Sequence, residues 1–364
     1  MMKKIAFLIE DISEKGGRET VLATLANALS DTYDIHILCV TQKNETLAYQ
    51  LNPNIKYQYF TYFEGRTRER FARSVFKMRR YIKKNRIDCV LGMGSSTFML
   101  ATISTIFTKT KFIGCEHSNL KNTFYDPLER LSQKMGAYFS DYLVTLTKKD
   151  IQNWIERYHM NPNRIGHCYN AIKMIEKVDD YKVDSRLIMS IGRISNVKQF
   201  HLIPQMASQI FEKHPDWKWH IYGSGDAQTI QVLEDEIKKY HMENHVVLMG
   251  NHPNPHEIYG EYGLFVLCSK YEGLPMVLLE AKQHHLPIVA FDIQTGPSEI
   301  VEHQKSGILV EADCVDEMAK QLIYLIENDQ IRKEYASHAQ DNLYLFEESR
   351  IIYQWKTLFE NILK

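Results

Sequence analysis

The chain has 364 residues, 44% of them hydrophobic and 24% charged, the balance of a globular protein long enough for two ordinary domains. Six scattered cysteines without a Cys-x-x-Cys pair exclude a disulfide framework or a zinc ribbon, and no apolar run approaches the ~20 residues of a membrane span. The net charge of −1 hides a division: residues 1–170 carry 25 Lys and Arg against 16 Asp and Glu, and residues 171–364 carry 19 against 29, which points to different partners for the halves or to their mutual attraction.

Met1 to Ile9 begins like a signal peptide, but Glu10-Asp11 ends the apolar run after five residues, so it reads as a first strand of a cytoplasmic chain. Strand-like runs follow at Ile35–Val40, Ile87–Leu91, Phe112–Cys115 and Tyr142–Leu146, with helical stretches at Glu19–Leu29, Arg70–Lys84 and Pro127–Phe139. This βαβα series predicts a mainly parallel sheet with helices on both faces. Residues 66–86 hold ten basic residues and one acid, with Phe71, Val75, Met78 and Ile82 at helical spacing. A buried apolar stripe and a cationic remainder suit a Rossmann helix, and the cations also suit an anionic membrane surface. Phe98 to Phe107, the longest later apolar stretch, carries threonines and a serine and is too short to span a bilayer.

The second half repeats the scheme. Strands are expected at Leu187–Ile191, Trp217–Tyr222, Val246–Met249, Leu264–Leu267 and Ile288–Phe291, and helices at Ile230–Lys239 and Val277–His284. The charged stretch Glu176–Asp184 marks the boundary, which divides the chain into residues 1–170, 171–346 and a last helix, 347–364. That helix carries Ile351, Ile352, Trp355, Leu358, Phe359 and Ile362 on one side and is expected to cross back to the first domain.

Three places carry chemistry. Gly16-Gly17 closes the first strand's loop just before a helix, where paired glycines admit a ligand and helix amides meet an anion; a tight turn needs glycine too. Ser190-Ile191-Gly192-Arg193, with Lys198 five residues on, places two cations at a strand's carboxyl end, where open α/β sheets bind ligands and a diphosphate would be neutralised. Two solvated surface charges would have the same spacing. In Glu272-Gly273-Leu274-Pro275-Met276-Val277, the loop after a strand opens a helix that carries Glu280. The carboxylates of Glu272 and Glu280 suit sugar and ribose hydroxyls, and the amides around Leu274–Val277 suit a phosphate.

Taken in order with Tyr222-Gly223-Ser224-Gly225-Asp226 and Thr295-Gly296-Pro297-Ser298-Glu299-Ile300, these segments resemble the retaining glycosyltransferases of family 4, with the GT-B fold. The family includes bacterial polysaccharide and lipid-glycan enzymes. The resemblance implies two Rossmann-like α/β domains facing across a cleft, with the acceptor on the first and a nucleotide-sugar, of the UDP type, on the second. It implies that Arg193 and Lys198 grip the donor diphosphate, Glu272 the donor sugar and Glu280 the ribose. Gly17 would touch phosphate or acceptor, with Gly16, Gly192, Gly223 and the 273–277 loop lining the donor site. His117, in Glu116-His117-Ser118-Asn119, matches the family's histidine near the donor sugar. Ala171 follows Asn170 where the family often has Asn-Gly, which puts the hinge geometry in question.

No Asp-x-Asp occurs, and the pairs His284-His285 and His252/His256 lack a carboxylate at ligand spacing, so no metal and no other cofactor is expected. A glycan or lipid-linked glycan acceptor, at the inner face of the plasma membrane, fits the resemblance. An epimerase on the same fold and a non-catalytic subunit remain alternatives. Nucleic acid is disfavoured, because the basic stretch lacks base-stacking platforms.

Overall fold

In the computed structural model, residues 2–60, 67–120 and 126–364 are described, with side chains left aside for 67–70. Arg66 and the side chains of Arg68, Glu69 and Arg70, part of the basic stretch read above, therefore lie outside the described residues. The chain divides into two compact units, residues 1–171 with 346–364, and residues 172–345.

The first unit alternates β1 (Lys4–Ile9), α1 (Gly17–Leu29), β2 (Asp34–Cys39), β3 (Lys56–Tyr59), α2 (Thr67–Asn85), β4 (Cys89–Met93), α3 (Phe98–Thr105), β5 (Lys111–Cys115), α4 (Pro127–Phe139), β6 (Tyr142–Thr145), α5 (Lys148–Tyr158) and β7 (Ile165–His167). Among the described residues its seven strands are parallel, in the order β3-β2-β1-β4-β5-β6-β7. The central strands are near-continuous apolar runs because helices cover both faces. Met78 and Ile82 of α2 are buried and Phe71 and Val75 pack partly against them, so the helical stripe meets the sheet.

The second unit runs β8 (Leu187–Ile191), α6 (Ile203–Phe211), β9 (Lys218–Tyr222), α7 (Ala227–Lys239), β10 (Val246–Gly250), β11 (Leu264–Leu267), α8 (Met276–Gln283), β12 (Ile288–Asp292), α9 (Pro297–Ile300), β13 (Gly307–Glu311), α10 (Val315–Glu327) and α11 (Asp329–Ser337). Its six parallel strands take the order β10-β9-β8-β11-β12-β13. The last helix, α12 (Glu348–Ile362), belongs to the first unit, where Phe359 meets Tyr33 edge-on at 5.5 Å.

Each sheet reverses its strand order once, between β1 and β4 and between β8 and β11. Those two points, at the carboxyl ends of the strands, are where such sheets bind ligands. Among the described residues no helix is long and apolar enough to cross a membrane.

Candidate functional site

The second unit brings most of the selected residues to its switch point. After β8 the chain turns through Gly192 (φ 153°) and is zipped to the turn after β9: Gly192 N–H donates to the Tyr222 carbonyl (3.0 Å) and Ile194 N–H to that of Ser224 (2.8 Å). Gly223 (φ 137°) lies on Gly192 so closely that a Cβ would overlap the Gly192 carbonyl oxygen, and its own N–H donates to Gly250 (2.8 Å). Both glycines thus hold the turns together, and neither amide is left for a phosphate. Arg193, next in the turn, is exposed and makes no hydrogen bond or ion pair among the described residues.

Lys198 folds back over Gly192, with its Cε 3.1 Å from where a Cβ would stand. Its ammonium donates to Glu272 Oε1 at 2.6 Å, and both side chains are largely buried. The sequence reading assigned these two residues to different parts of the donor; the structure pairs them. The ammonium keeps two further N–H groups and the carboxylate keeps Oε2.

Glu272 is braced from below, because its carbonyl accepts from Thr295 Oγ1 (2.7 Å) while Gly296 (φ 102°) packs against Pro275. The Thr295-Gly296 segment therefore props the loop that opens α8. Among the described residues the N–H groups of Gly273, Leu274, Met276 and Val277 find no acceptor, and Pro275 has none to offer. Four neighbouring donors at a helix start are the kind of group that can meet an anion.

Glu280 stands one turn into α8. Tyr259, fully buried, donates its hydroxyl to Glu280 Oε2 at 2.8 Å. Burial first, and then the Glu280 charge, push the phenol well above its ordinary pKa, so it remains a donor. Tyr259 stacks on Phe265 (5.9 Å, 24°) and on His284 (5.2 Å, 8°), and His284 stacks in turn on His256 (5.6 Å). Burial lowers His284 to about 4, so the imidazole that stacks on Tyr259 is neutral. With Oε2 held, Glu280 presents Oε1. If Glu280 takes part in holding a hydroxylated ligand, Tyr259→Phe is expected to weaken that ligand's binding about three- to tenfold, the worth of one hydrogen bond to a charge, with the melting temperature little changed. Unchanged affinity by calorimetry would remove Tyr259 from the site. No local signal marks Tyr259, whose partner lies 21 residues on.

In the first unit, the Gly16 N–H donates to the Tyr49 hydroxyl (2.9 Å), which donates back to the Gly16 carbonyl (3.0 Å). A Cβ on Gly16 would overlap only the carboxylate end of the Glu19 side chain, which would have to swing aside. Gly17 is different: a Cβ there would meet nothing within 4 Å, and the fold makes no demand for glycine. Arg18 follows, pairing with Glu10 (2.7 Å) and reaching Ser96 Oγ (3.3 Å) beside Gly94. His117 stands at the end of β5, its Nε2 3.4 Å from Cys115 Sγ. Burial, and then the Arg18 charge, hold it at about 3, so this imidazole is neutral at physiological pH. Glu116 is buried and organises the loop: its Oε1 accepts from the amides of His117 and Ser118 (both 3.0 Å) and from Ser118 Oγ (2.9 Å). Burial pushes its carboxyl up to about 7.

Among the described residues no group of three or more His, Cys, Asp or Glu is placed to hold a metal ion.

Two family models fit the chain in succession, Glycosyltransferase Family 4 over residues 15–174 and Glycosyl transferases group 1 over residues 173–342. The amylovoran biosynthesis glycosyltransferase AmsD of Erwinia amylovora is 28% identical over 98% of this chain and 99% of its own length. A Campylobacter jejuni 4-alpha-N-acetylgalactosaminyltransferase that acts on a diphospho-undecaprenol-linked sugar is 24% identical over 96% of this chain and 97% of its own. HepE of Anabaena, in complex with UDP and glucose, superposes with a TM-score of 0.83 at 18% identity, covering 99% of this chain and 100% of that one.

Two parallel-stranded α/β units with this strand order define the fold of a GT-B glycosyltransferase. The chain belongs to the family-4 type and is an enzyme of polysaccharide or glycan biosynthesis.

Proposed function

We propose that the chain moves a hexose or N-acetylhexosamine from a UDP-sugar to a glycan or lipid-linked glycan acceptor, with retention of anomeric configuration and without a divalent ion. The carrying observation is the order of groups along one edge of the second sheet: an exposed cation at Arg193, the Lys198–Glu272 pair, four unpaired amides opening α8, and Glu280 held by Tyr259. A nucleoside-diphosphate sugar carries the complementary series of anomeric sugar, diphosphate and ribose diol. The UDP and glucose bound to HepE and the N-acetylgalactosamine transferred by the Campylobacter relative support this choice.

In this reading the charge that develops on the departing diphosphate is stabilised by Arg193, Lys198 and the amides of the 273–277 loop, while the sugar passes through an oxocarbenium-like state. Glu272 Oε2 accepts from a sugar hydroxyl and Glu280 Oε1 from the ribose. Gly17 gives the ligand room at the first unit, which takes the acceptor. The neutral His117 supplies a hydrogen bond without adding a charge.

A thermal-shift and turnover screen over UDP-, GDP- and ADP-sugars tests the donor, with product anomers read by NMR. Stabilisation by UDP-sugars and an axial-to-axial outcome are expected. Preference for GDP- or ADP-sugars, or an inverted anomer, would overturn the corresponding part. Conversion of donor to its epimer with no acceptor present would make the chain an epimerase.

Turnover is expected to survive EDTA, because cations stand where other transferases carry a metal-binding Asp-x-Asp. Complete loss of activity that magnesium or manganese restores would refute this.

A further inference from the structure

Glu116 is 1% exposed, and among the described residues no lysine or arginine pairs with it. Burying a carboxyl without a cation is costly. Its bonds are also distributed unevenly. Oε1 accepts from the amides of His117 and Ser118 and from the Ser118 hydroxyl, whereas Oε2 is buried and has no hydrogen-bond partner. Those two amides have no other acceptor among the described residues. The Glu116 N–H itself donates to Val144 of β6 (2.8 Å), so its backbone is still tied to the sheet. The side chain therefore reaches forward and carries that fixed frame into the turn bearing His117.

The groups that face this carboxyl are acids, hydroxyls and a thiol. Asp150, at the start of α5, is 2% exposed, and its carboxylate accepts from Asn153 (2.8 Å) and Trp154 Nε1 (3.2 Å). Tyr158 of the same helix, itself beside Arg157 and Arg130, feels the Glu116 charge, as does the Cys115 thiol. Ser95, after β4, lies close but gives its hydroxyl to Glu129 Oε1 of α4 (2.8 Å). Burial above all pushes Glu116 up to about 7, with the Asp150 charge adding to it against the bonds from Ser118. Burial, and then the Arg18 charge, keep His117 neutral down to about 3. Of these two neighbours, Glu116 is the one whose charge changes near neutral pH.

We propose that Glu116 is the positioning residue for His117: its ionised carboxylate holds the 117–118 turn, and protonation slackens that hold. Resting on the reading of His117 as a partner of the donor sugar, it makes Glu116 act on transfer through that imidazole. As a carboxylate, Oε1 is a charged acceptor for three donors, and such bonds are about twice as strong as neutral ones. With Oε1 filled, a proton settles on Oε2, where it is a buried donor without an acceptor. Rotating the carboxyl to satisfy that donor takes Oε1 off the turn.

The test follows turnover of UDP-glucose or UDP-N-acetylglucosamine, whichever the donor screen selects, by the full chain from pH 6 to pH 8. The native kcat is expected to fall about fivefold from pH 8 to pH 6, with the donor KM steady. Glu116→Gln keeps an acceptor oxygen but no charge, so it should be about tenfold slower at pH 8 and level across the range. In a His117→Ala background the same change should cost nothing further, because the two residues act as a unit.

Melting separates this role from a merely structural one. The folded-state carboxyl is raised, so its contribution to stability is present in acid and is lost as pH rises from about 4.5 to about 7. Relative to the native chain, Glu116→Gln should therefore gain melting temperature from pH 6 to pH 8 while its relative turnover falls. A glutamate that only supports the fold would move both the same way. NMR of the His117 ring, identified by its loss in His117→Ala, needs no turnover. The signal of a neutral imidazole should inflect near pH 7 in the native chain and not in Glu116→Gln. An acid limb that persists in Glu116→Gln, additive losses in the double variant, or a His117 ring that itself gains a proton near pH 7 would each overturn the proposal. Loss of transfer in His117→Ala with native turnover in Glu116→Gln at pH 8 would overturn it alone. Full transfer by His117→Ala would overturn both it and the reading of His117.

Discussion

Lys198→Ala is expected to lower kcat/KM about a hundred- to a thousandfold, and to do so more severely than Arg193→Ala. Losing one stabiliser of developing charge costs about this much in other sites. The structure adds a second penalty. Lys198 is bonded to Glu272 at 2.6 Å in a largely buried pair, so its removal leaves a carboxylate unpaired beside the incoming diphosphate. Among the described residues Arg193 has no such partner, and its loss removes a cation without exposing an anion. Two consequences follow that a pair of independent surface charges would not share. Glu272→Gln should bind free UDP at least as tightly as the native chain, because it releases the lysine, while it slows transfer. The double variant Lys198→Ala with Glu272→Gln should bind UDP better than Lys198→Ala alone. Steady-state kinetics and calorimetry on the four proteins decide the matter. Additive losses would show that the pair does not act as a unit, and near-normal turnover in both cation variants would remove the proposed diphosphate site.

Elements whose pattern is local were legible in the sequence. Leu187–Ile191, Leu264–Leu267 and Pro127–Phe139 fall where hydrophobic period and turn residues place them. Three strands were not read. Lys56–Tyr59 is an edge strand whose residues Lys-Tyr-Gln-Tyr alternate between exposed and half-buried, and Ile165–His167 is three residues long, so neither makes an apolar run. Gly307–Glu311 does contain one, Ile-Leu-Val, but five residues at the edge of the second sheet were not separated from the surrounding loops. Helix starts shifted for a physical reason as well. α7 begins at Ala227 rather than Ile230, because the Asp226 carboxylate accepts from Thr229 N–H and caps it. In the candidate site, positions were legible and partnerships were not. Lys198 and Glu272 are 74 residues apart, and Tyr259 and Glu280 are 21 apart, so only the folded chain shows who holds whom. A family resemblance names residues that meet a ligand; it does not say which of them meet each other first.

Gly223→Ala is expected to destabilise the second unit by about 3–5 kcal/mol, among the largest effects a single methyl group can have. Gly223 was read from its Gly-Ser-Gly setting as part of the donor site, and the structure gives it a different task. Its φ of 137° is a conformation that residues with a side chain rarely adopt. A Cβ would also overlap the carbonyl oxygen of Gly192, which is backbone and cannot swing aside. Relief would require breaking the bonds that zip the two turns, Gly192 N–H to Tyr222 and Ile194 N–H to Ser224, and that carry Gly223 N–H to Gly250. The turn so loosened is the one that carries Arg193 and leads to Lys198, so donor binding should fall with stability and not independently of it. Gly17→Ala supplies the contrast. There a methyl group meets only open space, and the first turn of a helix tolerates alanine, so melting should be unchanged or slightly raised. Any loss of activity in that variant reports ligand approach alone. Melting curves separate the two cases directly: Gly223→Ala unfolding at the native temperature, with UDP affinity reduced, would return Gly223 to the donor site and show that the close contact with Gly192 yields at little cost.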